Sequence, residues 1–173
     1  MTHFGVFVGR LCPIHLGHEA VIKKMREDCG EKNCMVIIGS DNSPISLRHF
    51  FCYEERREFL RAIFQDIKVV GLADFQTDSE WLVALDDLIR LTGADPDQVV
   101  FYGGCEEDVT YYASLGRKVS ILNRFDGSTP KVSATEVRDA LIHGRSLKGL
   151  ISKKLVEGIK KTFSNKWEIF KRM

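Results

Sequence analysis

The sequence predicts an α/β fold of the doubly wound kind, a five-stranded parallel sheet with helices on both faces, and three observations predict it. Five short apolar runs are spread along the 173 residues. Helical patterns alternate with them, as βαβ units require. Three of the five runs close on a glycine at the carboxyl edge, where such sheets bind ligands.

Residues 4–8 (FGVFV), closed by Gly9, are too short for a helix and form the first strand. Beyond a loop containing Pro and Gly, Glu19 to Cys29 sets Val21, Ile22, Met25 and Cys29 at helical spacing, with Gly30 as the stop. Met35 to Ile38, ending at Gly39, is the second strand. Tyr53 to Phe64 carries Phe59, Leu60, Ile63 and Phe64 on one helical face, and Ile67 to Leu72 is the third strand. Asp78 or Ser79 can cap a helix through Leu91. Gln98 to Tyr102, followed by Gly103, is the fourth strand, and a helix over Asp108 to Ser114 precedes the fifth, Lys118 to Leu122. A polar loop, Asn123 to Lys131, leads to helical patterns over Ser133 to His143 and Ser152 to Phe163. No repeat, low-complexity stretch or linker interrupts this order. Residues 1–173 are therefore expected to form one domain, with 145–173 a basic helical segment packed on it.

At 44% hydrophobic and 28% charged, the composition is that of a soluble globular protein and excludes collagen-like, disordered and membrane classes. No apolar run approaches the ~18 residues of a membrane span, and the first residues lack a secretory pattern, so a cytoplasmic location is expected. The five cysteines lack CxxC spacing, which suggests reduced thiols rather than a disulfide framework or zinc site. A net charge of +1 argues against nucleic-acid binding by the chain as a whole. Nine Lys/Arg against two Asp/Glu from Arg145 onward nevertheless give +7 there, leaving −6 before it. Lys153, Lys154, Lys160, Lys161 and Lys166 alternate with apolar residues, which suits an amphipathic helix with a solvated face; an RNA-binding module is the alternative.

Two constellations carry chemistry. In residues 9–18 (GRLCPIHLGH), His15 and His18 flank Leu16-Gly17 between a strand and a helix start. There, imidazoles, unpaired backbone N–H groups and the positive dipole end can hold an anion together, while Gly17 permits close approach. Histidines that merely cap neighbours are the plain alternative; the strand, Gly turn and helix start favour a phosphate site. In residues 132–138 (VSATEVR), Ser133 or Thr135 can cap the next helix, and Glu136 completes a capping box with Ser133. That accounts for Ser133 and Glu136 but not for Arg138, whose guanidinium could reach back over the helix start to a second phosphate.

At these residues the chain resembles the nucleotidyltransferase superfamily, through its HxGH and SxTxxR signatures, and within it the archaeal-type nicotinamide-mononucleotide adenylyltransferases. Ile38-Gly39-Ser40, the segment SLRHFFCYEERR, Trp81 and a Tyr-Gly closing the fourth strand extend the resemblance along most of the chain. It implies a Rossmann-like fold and transfer of a nucleotide from ATP, with Mg²⁺, to a phosphate acceptor. Gly9, Arg10, His15, His18, Ser133, Thr135 and Arg138 would hold ATP; His15, His18 and Arg138 would act in catalysis, His18 on the pentavalent α-phosphate. Arg48 would bind the acceptor's phosphate and Trp81 would stack on its ring. No protein metal ligand is implied, a Nudix domain is not expected, and the family often forms oligomers. Other acceptors such as phosphopantetheine or nicotinate mononucleotide, use of CTP, and a non-catalytic nucleotide-binding module are the alternatives.

Without the resemblance, Trp81 reads as core and Arg48 as a solvated loop residue. Arg56 and Arg57, within Glu54 to Glu58, read as i,i+4 pairs on an exposed helix face. Asp41 could serve a metal or ribose, or cap a turn, and Glu106 to Asp108 should open a helix. Leu11-Cys12, Ile14, Ala134 and the turn 103–106 (GGCE) depart from the family's usual residues around the bases, not at its phosphate ligands.

Overall fold

The computed structural model describes residues 3–122, 127 and 129–173; of the polar loop expected at 123–131, residues 123–126 and 128 lie outside the described residues. Five strands, β1 (Gly5–Gly9), β2 (Cys34–Gly39), β3 (Lys68–Leu72), β4 (Val100–Gly103) and β5 (Lys118–Ile121), pair in parallel in the order β3-β2-β1-β4-β5. Among the described residues the six α-helices are α1 (Leu16–Cys29), α2 (Tyr53–Ile63), α3 (Asp78–Arg90), α4 (Glu106–Ser114), α5 (Ala134–Ile142) and α6 (Val156–Phe170).

Strand alternation divides the core into two layers. Phe7, Val36 and Ile38 face α1, α2, α5 and α6 in one cluster, while Val6, Met35 and Ile37 face α3 and α4 in the other. Helices thus cover both faces, as the sequence predicts. Order reverses between β1 and β4, which opens a crevice at their carboxyl ends.

Several boundaries differ from expectation. Helix α1 begins at Leu16 rather than Glu19, because His15 itself is the N-cap. Helix α3 is capped by Thr77, not Asp78 or Ser79: its hydroxyl accepts from the Glu80 N–H, and the Glu80 carboxylate closes back on the Thr77 N–H. Helix α4 starts two residues early, at Glu106. Helix α6 runs on to Phe170 because Trp167 and Phe170 extend its apolar stripe against Phe50. Along the basic segment Ile151, Leu155, Ile159 and Phe163 are buried while Lys153, Lys154, Lys160 and Lys161 are exposed. Lys166 departs from that solvated face, donating to the Phe50 carbonyl and pairing with Glu55, both at 2.8 Å. None of the five cysteines forms a disulfide among the described residues. No described helix is long and apolar enough to cross a membrane.

Candidate active site

The first motif lies at the carboxyl end of β1. His15 is 3% exposed and its Nδ1 accepts the backbone N–H groups of Gly17 (3.1 Å) and His18 (3.3 Å). In return, the His15 N–H donates to His18 Nδ1 at 3.3 Å. The plain reading of these histidines as caps is therefore correct, and it carries a chemical consequence. A neutral imidazole whose Nδ1 accepts must carry its proton on Nε2, so the reciprocal box sets both rings as Nε2–H donors. The rings stack with centroids 3.6 Å apart and planes 22° apart. That stack needs the residue between them to be small: a Cβ on Gly17 would stand 3.0 Å from His15 Cε1. His18 also meets Phe7 edge-on and lines a cavity of about 180 Å³ with Gly9, Arg10, Gly17, Gly104 and Asp108.

The second motif comes to the same place from the far end of the chain. Ser133 caps α5, accepting from the Glu136 N–H at 3.1 Å, and Glu136 receives the Ser133 N–H at 2.6 Å. Arg138 projects from the start of the second turn of α5. Its guanidinium donates to the Cys12 carbonyl at 2.8 Å and to Thr135 Oγ1 at 3.2 Å, which ties the helix to the β1–α1 loop. Burial and the nearby Arg48 charge lower the Arg138 pKa. Burial, then Arg48, then Arg138 lower that of Arg10 against the pull of Asp74. Three guanidiniums thus share one field, a concentration of positive charge suited to a polyphosphate.

The two residues expected at the acceptor are apart. Arg48 is exposed and lines a cavity of about 500 Å³ with Leu47, Thr135, Arg138, Asp139 and Ile142. Trp81 lies in another, of about 410 Å³, with Asp74, Phe75, Thr77, Asp78 and Tyr111. It is half-buried, edge-on to Tyr111 at 6.0 Å, so it serves both core and cavity wall. Asp74 links this wall to the phosphate side: its carboxylate accepts from Ser40 Oγ and Ser43 Oγ, each at 2.9 Å, and its charge acts on Arg10.

Sequence reasoning misplaced Arg56. It is 2% exposed, not on a solvated face, and donates to the carbonyls of Arg10 (2.8 Å), Gly39 (2.8 Å) and Ser40 (3.1 Å). The signal was available, since position 56 continues the buried stripe of Phe59, Leu60 and Ile63 backwards by one helical turn. Arg57 instead lies over the Tyr53 ring at 5.5 Å. Asp74, Gly104 and Asp108 were not singled out for the site; Asp108 accepts the N–H groups of Gly104 (2.9 Å) and Cys105 (3.2 Å) and shapes the turn after β4. Asp41 lies over β3, and burial raises its pKa against the opposing Arg56 charge.

Residues 6–140 match the model of the cytidylyltransferase-like family. A nicotinamide-nucleotide adenylyltransferase of Thermococcus sibiricus is 27% identical over 165 residues, covering 90% of this chain and 82% of the relative. A solved bifunctional NMN adenylyltransferase/ADP ribose pyrophosphatase from Francisella tularensis superposes with a TM-score of 0.68 at 22% identity. It has also been solved in complex with AMP and a manganese ion. A NadR protein in complex with NAD and AMP-PNP gives a TM-score of 0.58 at 26% identity. These solved structures are matched over 89% and 83% of this chain, which spans 44% of each of them.

Proposed function

The chain belongs to the cytidylyltransferase-like family and is a nucleotidyltransferase, and from that premise we propose that it transfers AMP from ATP to nicotinamide mononucleotide, forming NAD and pyrophosphate. The observation that carries the proposal is the convergence of Arg10, Arg48 and Arg138 with the His15–His18 box at the carboxyl end of β1.

An oxygen of the acceptor's phosphate attacks the α-phosphorus of ATP in line with the departing pyrophosphate. The P–O bond to the β-phosphate breaks as the new one forms, and no covalent enzyme intermediate is needed. Catalysis is then positioning and charge stabilisation. His18 donates its Nε2–H to the α-phosphate as charge builds on the equatorial oxygens. His15, Gly9 and Arg10 hold the nucleotide near the β1–α1 turn, and Ser133, Thr135 and Arg138 hold the β- and γ-phosphates at the start of α5. Arg48 faces the same cluster and takes the acceptor's phosphate, while Trp81 offers a π-face to its pyridinium ring.

Among the described residues, no three His, Cys, Asp or Glu side chains stand together as a metal cage. Arg10, Arg138 and Arg48 would hold the triphosphate and cannot ligate a cation, so a Mg²⁺ ion would have to be bound by phosphate oxygens. Bound there, the ion would neutralise phosphate charge.

Incubating the protein with ATP, Mg²⁺ and nicotinamide mononucleotide and separating products by chromatography tests the proposal. NAD and pyrophosphate in equal amounts are expected. Product formed only with another phosphate acceptor would overturn the assignment of Arg48 and Trp81.

A further inference from the structure

Between β2 and α2, residues 40–52 form no helix or strand, and this loop carries Arg48 at an exposed position. Its far end is nevertheless held. Phe50 is buried, and its ring packs on Phe163, Trp167 and Phe170 of α6 with centroids 4.9, 6.1 and 5.8 Å away. Lys166, on the same stretch of α6, adds a polar hold: its Nζ donates to the Phe50 carbonyl and to Glu55 Oε2, each at 2.8 Å. From this geometry we propose that Lys166 is a positioning residue for the reaction: by fixing the Phe50 peptide it sets where Arg48, two residues away, presents its guanidinium to the acceptor's phosphate. The inference rests on the adenylyl transfer proposed above and on the place of Arg48 in it.

A lysine on a surface helix keeps its charge in water, as the exposed Lys160 and Lys161 do on α6. Lys166 does not. Its side chain is only 21% exposed, and its ammonium lies over the Phe50 and Phe51 rings, 5.4 and 6.0 Å from their centroids. An ammonium so far withdrawn from water is stable only where partners take its N–H groups, and here a carbonyl and a carboxylate take two of them. Glu55 is fixed in turn, because the same Oε2 accepts the Cys52 N–H at 2.9 Å. Lys166 thus ties α6 at once to the end of the loop and to the start of α2.

The hold reaches Arg48 through little slack. Consecutive Cα atoms are ~3.8 Å apart, so two residues place the Arg48 backbone within about 7.6 Å of the anchored one. A small turn stiffens the span: the Ser46 N–H donates to the His49 carbonyl at 3.4 Å and the His49 N–H to Ser46 Oγ at 3.1 Å. The near end of the loop has its own anchors, since Arg56 donates to the Ser40 carbonyl and Asp74 accepts from Ser40 and Ser43. Arg48 therefore stands between two fixed points, of which α6 supplies one. A lysine that merely docks α6 would add stability and have no effect on acceptor binding, and that difference can be measured.

The test combines steady-state kinetics with trypsin cleavage after Arg48 in the unaltered protein, Lys166→Met, Lys166→Arg, Arg48→Ala and the double variant Lys166→Met/Arg48→Ala. Lys166→Met should raise KM for nicotinamide mononucleotide about fivefold, the weight of one hydrogen bond, with kcat and KM for ATP within about twofold. Lys166→Arg, which keeps a cationic donor, should restore most of that KM. In the Arg48→Ala background the same change should add less than about twofold, because its effect passes through Arg48. Cleavage after Arg48 should be several-fold faster in Lys166→Met while its melting temperature falls by only about 2–4 °C. An unchanged acceptor KM in Lys166→Met, an equal rise with and without Arg48, or cleavage no faster than in the unaltered protein would each overturn the inference and leave the adenylyl transfer standing. No product from the unaltered protein would overturn the adenylyl transfer and with it the role of Lys166 in acceptor binding, even where cleavage shows that Lys166 holds the loop.

Discussion

The guanidinium of Arg56 donates to the main-chain carbonyl of Arg10 at 2.8 Å, and this bond joins α2 to the loop that carries the histidine box. Two other donations from the same group reach Gly39 and Ser40 at the end of β2. Leu11 and Ser40, next to or at these carbonyls, have φ of 51° and 53°, the left-handed region that side chains rarely adopt. Such residues cost on the order of 1–3 kcal/mol each and persist where surroundings hold them. One buried cation thus ties the carboxyl ends of β1 and β2 together beneath the proposed phosphate site.

Arg56→Lys should therefore lower stability and activity together. An ammonium group cannot reproduce a planar fork that serves several carbonyls, and the Ser40 carbonyl that loses its partner is in a buried bond. A loss of about 3 kcal/mol in urea unfolding is expected, with a rise in KM for ATP. Unchanged KM in the folded fraction would show that the loop keeps its shape without the guanidinium.

The sheet was legible because its signal is dense: buried strands such as residues 35–38 (MVII) are continuous apolar runs, and glycine closes three of the five. The two motifs proposed to bind phosphate were legible because each is contiguous and carries the N-cap of a helix. The destination of long side chains was harder to read, because it depends on helical phase and not on composition. Arg56 sits among charged neighbours, so composition suggests solvent, whereas helical phase places it inside. His15 is the N-cap, which is why α1 begins earlier than its apolar spacing indicates. Arg48 and Trp81, grouped by resemblance, line separate cavities because the β3–α3 loop with Asp74 stands beside the second.

His18→Ala should cut kcat by roughly 10²–10³-fold, the usual loss when one donor to a developing oxyanion is removed. The change also removes the Nδ1 acceptor for the His15 N–H. Stability should fall by about 1 kcal/mol, as when a helix cap is lost. Steady-state kinetics beside a melting curve separates the effects, and near-normal turnover would refute the assigned role.

Gly17→Ala should act through geometry alone. The new Cβ would stand 3.0 Å from His15 Cε1 and 3.1 Å from Nδ1, so the ring must shift and its bonds to the Gly17 and His18 N–H groups must lengthen. Alanine is otherwise the better helix former by about 1 kcal/mol. Turnover is expected to fall by about tenfold while the melting temperature changes little, an outcome that a purely structural glycine would not give. A variant with full kcat would show that the stacked rings can move at no catalytic cost.

His49 supplies the pH-dependent prediction. Its ring Nε2 is buried without a hydrogen-bond partner. Burial, followed by the charges of Arg10, Arg48 and Arg56, lowers its pKa from 6.5, with Asp74 opposing. The unfolded chain therefore binds a proton at this residue at pH values where the folded protein does not. Stability rises with pH wherever the unfolded state holds more protons. The penalty from His49 is then absent well above pH 6.5, appears as pH falls through that value, and is complete below the lowered folded-state pKa. In His49→Gln this contribution vanishes. Urea unfolding of both proteins from pH 8 to pH 5 should show the variant gaining stability relative to the unaltered chain as the solution becomes acidic. A difference that stays constant across that range would mean that neither burial nor the three arginines lowers the His49 pKa in the folded protein.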